Sequence, residues 1–233
     1  MSPFLSRASR WGVYYDGRKA RSSLAHQVNV LLVLESLLRI EMATTLANTI
    51  ESTGQKIAVI VPSKPGALTV SYEQLNAQIS LFQKKLASSG IAPQAAVLIA
   101  LPNSYEFIVA FLATSWQRAI AAPLNPAYKQ DEFEFYIDDL NSAVALVPKG
   151  SVQQDGPAVR AARKYRAAIA EVYWNGEEVV LDVKDTGKLS DKGKQAIEKA
   201  QPDDVALVLH TSGTTGRPKA VCAGKALDGG WVG

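Results

Sequence analysis

The chain has 233 residues, 47% of them hydrophobic, and a formal net charge of +3. That length suits one large domain or two small ones, and the composition excludes a chain disordered throughout. The single cysteine, Cys222, excludes an internal disulfide and a cysteine-based zinc site.

The basic excess is local. Residues 1–41 carry Arg7, Arg10, Arg18, Lys19, Arg21 and Arg39 against Asp16, Glu35 and Glu41, and the remainder is balanced. The basic pI is therefore no argument for a nucleic-acid partner. No run of 18 apolar residues exists, so no transmembrane helix is expected. The arginine- and serine-rich composition of residues 1–41 fits either an organelle transit peptide or a poorly ordered tail.

From Thr44 the pattern becomes regular. Residues 44–52 read as a short helix, residues 57–61 as a strand ended by Pro62, Lys64-Pro65-Gly66 as a turn, and residues 68–70 as a second strand. Ser71 with Gln74 three residues on forms a capping box. The helix that follows carries Leu75, Ile79, Phe82 and Leu86 as one apolar stripe, and Gly90 supplies its stop. Residues 97–101 read as a buried strand. Asn103 with Glu106 looks like a second capping box, opening a helix that buries Ile108, Phe111, Leu112 and Trp116.

Residues 120–123 form a short strand. Residues 131–140 form a helix with Phe133, Tyr136, Ile137 and Leu140 on one side, and residues 143–147 another strand. The alanine-rich stretch 157–171 predicts one helix with Arg160, Arg163, Lys164 and Arg166, read as a solvated basic face in preference to a phosphate-binding one. Residues 172–174 and 178–183 suggest strands joined through Asn175-Gly176, and residues 190–200 a polar helix. Strand–helix–strand alternation with short connections predicts an α/β fold, a mostly parallel sheet flanked by helices.

The apolar run 205–209 has the composition of a buried strand, and it leads into Thr211-Ser212-Gly213-Thr214-Thr215-Gly216-Arg217-Pro218-Lys219. Gly213 and Gly216 permit a sharp turn and close backbone approach to a ligand. Successive N–H groups in such a turn form an anion-binding nest. The hydroxyls of Thr211, Ser212, Thr214 and Thr215 add donors and can face a Mg²⁺ shell, and Lys219 adds a point charge. By composition alone a flexible polar linker is the competing reading. A Walker A loop is excluded, because Arg217 and Pro218 separate Gly216 from the lysine.

The string from Thr211 to Val221 resembles the signature loop of the adenylate-forming enzymes. Upstream, Leu101-Pro102-Asn103-Ser104 with Glu106-Phe107, and Pro123-Leu124-Asn125-Pro126 with Tyr128, resemble that family's landmarks in order. Within the family the chain looks most like the small-acid acyl-CoA synthetases, including the oxalate–CoA ligase-like branch.

The resemblance implies the N-terminal part of the family's large domain, incomplete, spanning residues 42–221 between an extension at 1–41 and a non-family tail at 222–233. It implies an ATP-dependent acid–CoA ligase: a carboxylate attacks the α-phosphorus of Mg·ATP, and coenzyme A then takes the acyl group. The residues carried over as nucleotide-binding are Thr211, Ser212, Gly213, Thr214, Thr215, Gly216 and Lys219. No residue is assigned a catalytic role. The family's adenine-binding Tyr-Gly-x-Thr-Glu string is not found. A non-catalytic fragment that at most binds nucleotide phosphates, or a partner or second copy through an uncovered sheet, is the alternative. A small-molecule carboxylate and ATP are the partners implied. Location follows the same resemblance: cytoplasmic or peroxisomal, or mitochondrial if residues 1–41 are a transit peptide. His210 is expected to be a packed, hydrogen-bonded histidine and no general base, and Cys222 an ordinary thiol.

Overall fold

The fold was analysed in a computed structural model that describes residues 54–62, 67–201, 203–211 and 219–223, with backbone alone for Thr211 and 219–223. The extension 1–41, the predicted helix 44–52, the turn at Lys64-Pro65-Gly66 and most of the tail 222–233 lie outside the described residues.

A two-stranded antiparallel hairpin comes first, β1 (Ile57–Pro62) against β2 (Ala67–Ser71). Helix α1 (Tyr72–Ser88) starts on the predicted capping box. Gln74 N–H donates to Ser71 Oγ at 3.2 Å, and Ser71 N–H donates to Gln74 Oε1 at 2.9 Å. Two of the helix's orphan donors are thereby satisfied. Its stripe of Leu75, Ile79, Phe82 and Leu86 is buried. Gly90, at φ +88°, ends it: Gly90 N–H bonds Ala87 O and Ile91 N–H bonds Leu86 O, a Schellman stop.

Then comes the main sheet, built from β3 (Ala96–Ile99), β4 (Ile120–Pro123), β5 (Val144–Pro148), β6 (Ala168–Trp174), β7 (Val179–Asp185), β8 (Leu207–Thr211) and β9 (Lys219–Ala223). The spatial order is β7-β6-β5-β3-β4-β8-β9. The five inner strands are parallel, and β7 and β9 are antiparallel edges. The connecting helices are α2 (Tyr105–Trp116), α3 (Gln130–Asp139), the single turn α4 (Ser151–Gln154) and α5 (Pro157–Lys164).

The pleat sorts the core into two layers. Val97, Ile99, Leu146 and Ala170 pack with α1 and α2 on one face, while Leu98, Ala145, Val147 and Ile169 pack with α3 and α5 on the other. Strands covered on both faces lose the polar alternation of a one-sided sheet, so all four residues of β3 are buried.

Four expectations are corrected. The cap of α2 is Ser104, whose Oγ accepts Phe107 N–H at 3.3 Å, and Asn103 is not part of it. Glu106 instead accepts Trp174 N–H at 3.1 Å. Of the four residues expected to bury α2, only Leu112 is fully buried. The deepest positions are Val109, Ala110, Ala113 and Thr114, because small residues let the helix approach the sheet and α1 closely.

The alanine-rich stretch 157–171 is two elements. The helix stops at Lys164, Arg166 adopts φ +56°, and the chain enters β6 at Ala168. Alanine's helix propensity is a weak preference, and five parallel pairings to β5, with side chains buried on both faces, override it. Residues 190–200 form no helix beyond the 3₁₀ turn Gly187–Leu189. They carry no apolar stripe to bury, and propensity alone does not hold so short a helix.

That segment is instead strapped to the core. Gln195 N–H bonds Ala87 O at 2.9 Å, and buried Gln117 donates Nε2 to Ile91 O and Ala196 O at 3.2 Å each. Arg118 then grips Asp204 with Nε at 2.8 Å and Nη2 at 3.1 Å, and also pairs with Glu198. Arg118 itself sits at φ +62°, bonded by its carbonyl to the N–H of Gln94, at φ +60°. Two non-glycine residues in the left-handed region are a strained pair that the surrounding bonds hold.

Gly187, in the 3₁₀ turn just before the strap, makes the closest backbone approach among the described glycines. At φ +46°, an added Cβ would meet Arg166 O at 2.4 Å and the Ala167 carbonyl carbon at 2.7 Å, both backbone. Gly187→Ala is expected to lower stability by roughly 1–3 kcal/mol or more. Gly193→Ala, with open space around the added Cβ, should leave the urea midpoint nearly unchanged. Equal midpoints for the two variants would contradict the packing described.

The Arg118–Asp204 grip should show in acid. Burial alone would raise the Asp204 carboxyl, but the hydrogen bond from Arg118, the Gln201 N–H and the Arg118 charge outweigh it and leave the group below its ordinary 3.8. A depressed folded value means that the stabilisation is present above the ordinary value and is lost as pH falls through the folded one. Asp204→Asn is therefore expected to be less stable than wild type at neutral pH, with the gap closing in acid. Urea midpoints from pH 7 downward measure it, and a gap independent of pH would refute it.

Candidate functional site

β8 runs parallel to β4, with Ala121 opposite Leu207, so its end at Thr211 lies at the same edge as the ends of β3, β4 and β5. In open α/β sheets this carboxyl edge is where ligands bind. The chain then folds back. β9 pairs antiparallel with β8, and Thr211 opposes Lys219 as the last pair of the ladder. The seven residues between them are the glycine- and hydroxyl-rich segment, closed at its base by that pair. Ser212, Gly213, Thr214, Thr215 and Gly216 lie outside the described residues. Thr211 and Lys219 are placed by backbone at the two ends of the hairpin loop.

The predicted buried strand 205–209 is shifted by two positions, to Leu207–Thr211, and is less buried than expected. Leu209 is 39% exposed. β8 is the last parallel strand, and alternation puts Leu209 on the opposite face from Val208 and His210. Sequence reasoning also missed β9, which takes in Cys222 and Ala223. A five-residue run of Lys-Ala-Val-Cys-Ala is too short for periodicity to identify.

Two other loops share the carboxyl edge. After β3, Pro102, Asn103 and Ser104 lead into α2, and a cleft of about 380 Å³ opens there between Asn103, Ser104, Phe107 and Ile108 on one side and Val59 and Val61 of β1 on the other. Tyr105, buried beneath it, packs edge-on against Trp174 at 5.5 Å. Burial, and then the charge of Glu106, push the Tyr105 phenol up to about 12, so it stays protonated at any working pH. After β4, Leu124 N–H bonds Ile99 O at 3.0 Å, and Asn125 Oδ1 accepts Ala127 N–H at 3.0 Å, an Asx-turn. Tyr128 closes that loop by stacking on Tyr136 of α3 at 5.7 Å. The three motifs singled out in the sequence, far apart in the chain, thus lie along one edge.

His210 is packed and hydrogen-bonded, as expected. Its side chain is 2% exposed, Nε2 lies 2.9 Å from Asp139 Oδ2, and the ring centroid is 4.7 Å from that of Tyr136. The basic residues of α5 are committed to neighbours. Arg160 donates to Gln130 and to the Asp155 carbonyl, Arg163 pairs with Asp155 and Lys164 with Glu134. Arg160, Arg163 and Lys164 are also exposed, in line with the solvated basic face expected. No group of three or more His, Cys, Asp or Glu residues suited to a metal occurs among the described residues. No helix among them is long and apolar enough to cross a membrane.

Comparison with known proteins agrees with this geometry. The family described as "AMP-binding enzyme" matches residues 46–224. An oxalate–CoA ligase of Arabidopsis thaliana is 39% identical over 162 residues, covering 68% of this chain and 30% of the relative. An oxalate–CoA ligase of Saccharomyces cerevisiae is 33% identical over 195 residues, covering 73% and 35%. The chain therefore spans about a third of the length of these relatives. Among solved structures, ATP-bound MatB from Rhodopseudomonas palustris superposes with a TM-score of 0.59 at 22% identity, over 77% of this chain and 34% of that one. The sheet and its flanking helices are thus part of the fold of the adenylate-forming enzymes, and by the family match over most of its length the chain belongs to the AMP-binding enzyme family.

Proposed function

We propose that the chain carries the ATP phosphate-binding segment of an AMP-forming acid–CoA ligase. The observation that carries this reading is the β8–β9 hairpin, which brings a Gly/Ser/Thr loop with Lys219 at its base to the carboxyl edge of a parallel sheet. In the reaction proposed, a carboxylate oxygen attacks the α-phosphorus, the bond to pyrophosphate breaks, and an acyl-adenylate forms. The thiol of coenzyme A then attacks the acyl carbon and AMP leaves. The names of the relatives favour a small dicarboxylate such as oxalate as the acid.

The chain's own share is charge stabilisation. Backbone N–H groups of residues 212–216, the hydroxyls of Thr211, Ser212, Thr214 and Thr215, and the Lys219 ammonium would hold the β- and γ-phosphates, donors placed before charge develops on the leaving pyrophosphate. Mg²⁺ would arrive on the triphosphate and be held mainly by phosphate oxygens, with loop hydroxyls completing its shell, since it prefers few protein ligands in ATP sites.

Phosphate binding without turnover is the second reading, since the segment placed at the sheet edge accounts for phosphate contacts alone. Adenylation needs the acid oxygen and the α-phosphorus aligned within about 3–3.5 Å, and a phosphate cradle alone does not supply that alignment. Ile57 and Ile60 of β1 and Leu209 of β8 are exposed apolar side chains, and self-association belongs to this second reading.

Two measurements test these readings. Calorimetric titration should show pyrophosphate competing almost as well as ATP, and Lys219→Ala should weaken binding by about 1.5–3 kcal/mol, the range for a hydrogen bond to a charged group. Tight ATP binding indifferent to pyrophosphate would count against the loop. ATP–pyrophosphate exchange across a panel of acids headed by oxalate, run beside light scattering, should show no acid-dependent exchange and some self-association for the 233-residue chain. Acid-dependent exchange abolished by Lys219→Ala would instead establish a working adenylating unit.

A further inference from the structure

The outer half of β8 has few ties to the core. β8 pairs with β4 at a single position, Ala121 opposite Leu207, reinforced by Ala121 N–H to Ala206 O at 3.0 Å. β4 ends at Pro123, which has no N–H with which to extend the ladder. From Val208 onward β8 pairs with β9, the other arm of the same hairpin, so that pairing cannot hold the hairpin in place. Val208 is buried but makes a contact without direction.

His210 supplies what the ladder does not. Its ring is enclosed by Tyr136 at 4.7 Å and Phe135 at 6.1 Å, and Nε2 reaches Asp139 Oδ2, the last residue of α3, at 2.9 Å. Nδ1 is buried and has no hydrogen-bond partner among the described residues. A bare buried nitrogen is unfavourable, and an apolar side chain of similar size would avoid it. What histidine offers here, and leucine does not, is the directional bond to Asp139. The helix at the other end of that bond is itself tied to a second loop of the edge, because Tyr136 stacks on Tyr128.

We propose that His210 is a positioning residue: its bond to Asp139 fixes on α3 the outer end of β8, from which the signature segment departs, so that the base of the phosphate site is held before nucleotide arrives. The proposal rests on reading that segment as a phosphate site.

The test uses the full chain with His210→Leu, His210→Gln and Asp139→Ala, read by amide hydrogen exchange and by titration with magnesium pyrophosphate. His210→Leu and Asp139→Ala are each expected to speed exchange across residues 208–223 roughly tenfold, with β3 and β5 unchanged, as for local opening of one hairpin. Both should weaken pyrophosphate binding by about tenfold, and the double variant should be no worse than either alone, because the two residues share one interaction. His210→Gln, whose amide can donate to Asp139, should restore binding and exchange to near wild type. Unchanged exchange in both disrupting variants, or a Gln variant as impaired as the Leu variant, would overturn the proposal. A wild-type chain that binds no pyrophosphate would overturn the phosphate reading and the positioning role with it. The exchange data would then show separately whether the clasp holds the strand.

Discussion

The burial of β3 on both faces is the constraint on which the rest depends. Its four residues Ala-Val-Leu-Ile are all enclosed, with α1 and α2 on one side and α3 and α5 on the other. A strand in that position cannot be joined to its neighbours by tight hairpins, because each parallel connection must return across a face of the sheet. Each return brings a helix, the helices complete the two layers, and the carboxyl ends of β3, β4, β5 and β8 gather at one edge. Function then follows from topology: loops distant in the chain become neighbours, and their backbone groups are held by a rigid sheet.

The opposite edge works differently. There the chain has to cross from β7, at one margin, to β8, near the other, with no α-helix among the described residues. The strap, residues 190–201 and 203–206, does so through polar anchors: Gln195 on α1, Gln117 on the strap, and Arg118 on Glu198 and Asp204. Its side chains are mostly exposed, so its placement depends on a few directional bonds and on the left-handed pair Gln94 and Arg118 that aims the guanidinium. This crossing also explains why β8 touches β4 so briefly. The strand arrives from a segment with no regular structure, and its outer half relies on a side-chain contact to α3.

The aromatic residues of α3 unify motifs that look independent in the sequence. Tyr128, from the loop after β4, lies against Phe133 and Tyr136, and Tyr136 lies against His210, the residue before the signature segment. The landmark at residues 123–128 and the loop that begins at Thr211 are therefore connected through one helix face. Both α3 and the loops can be placed only because Phe133 and Ile137 are anchored in the core below.

The sequence by itself determined the elements whose signals are local and strong. The Ser71–Gln74 box, the stripe of α1, the Gly90 stop, the short apolar strands and the Asn175-Gly176 hairpin are each set by side chains within a few residues of one another. The family was legible in the same way, because the residues that resemble its signature loop are consecutive. Only the tertiary structure decided the rest. It turned residues 168–171 from a predicted helix into strand β6, because pairing and burial outweigh alanine's weak preference. It moved the α2 cap from Asn103 to Ser104 and left residues 190–200 without an α-helix, because no apolar stripe there could hold one on the core. It also brought His210 to Asp139 across 71 positions of chain. No pattern within a single segment encodes that contact, since it exists only once β8 has joined the sheet and α3 has packed on the face that His210 occupies.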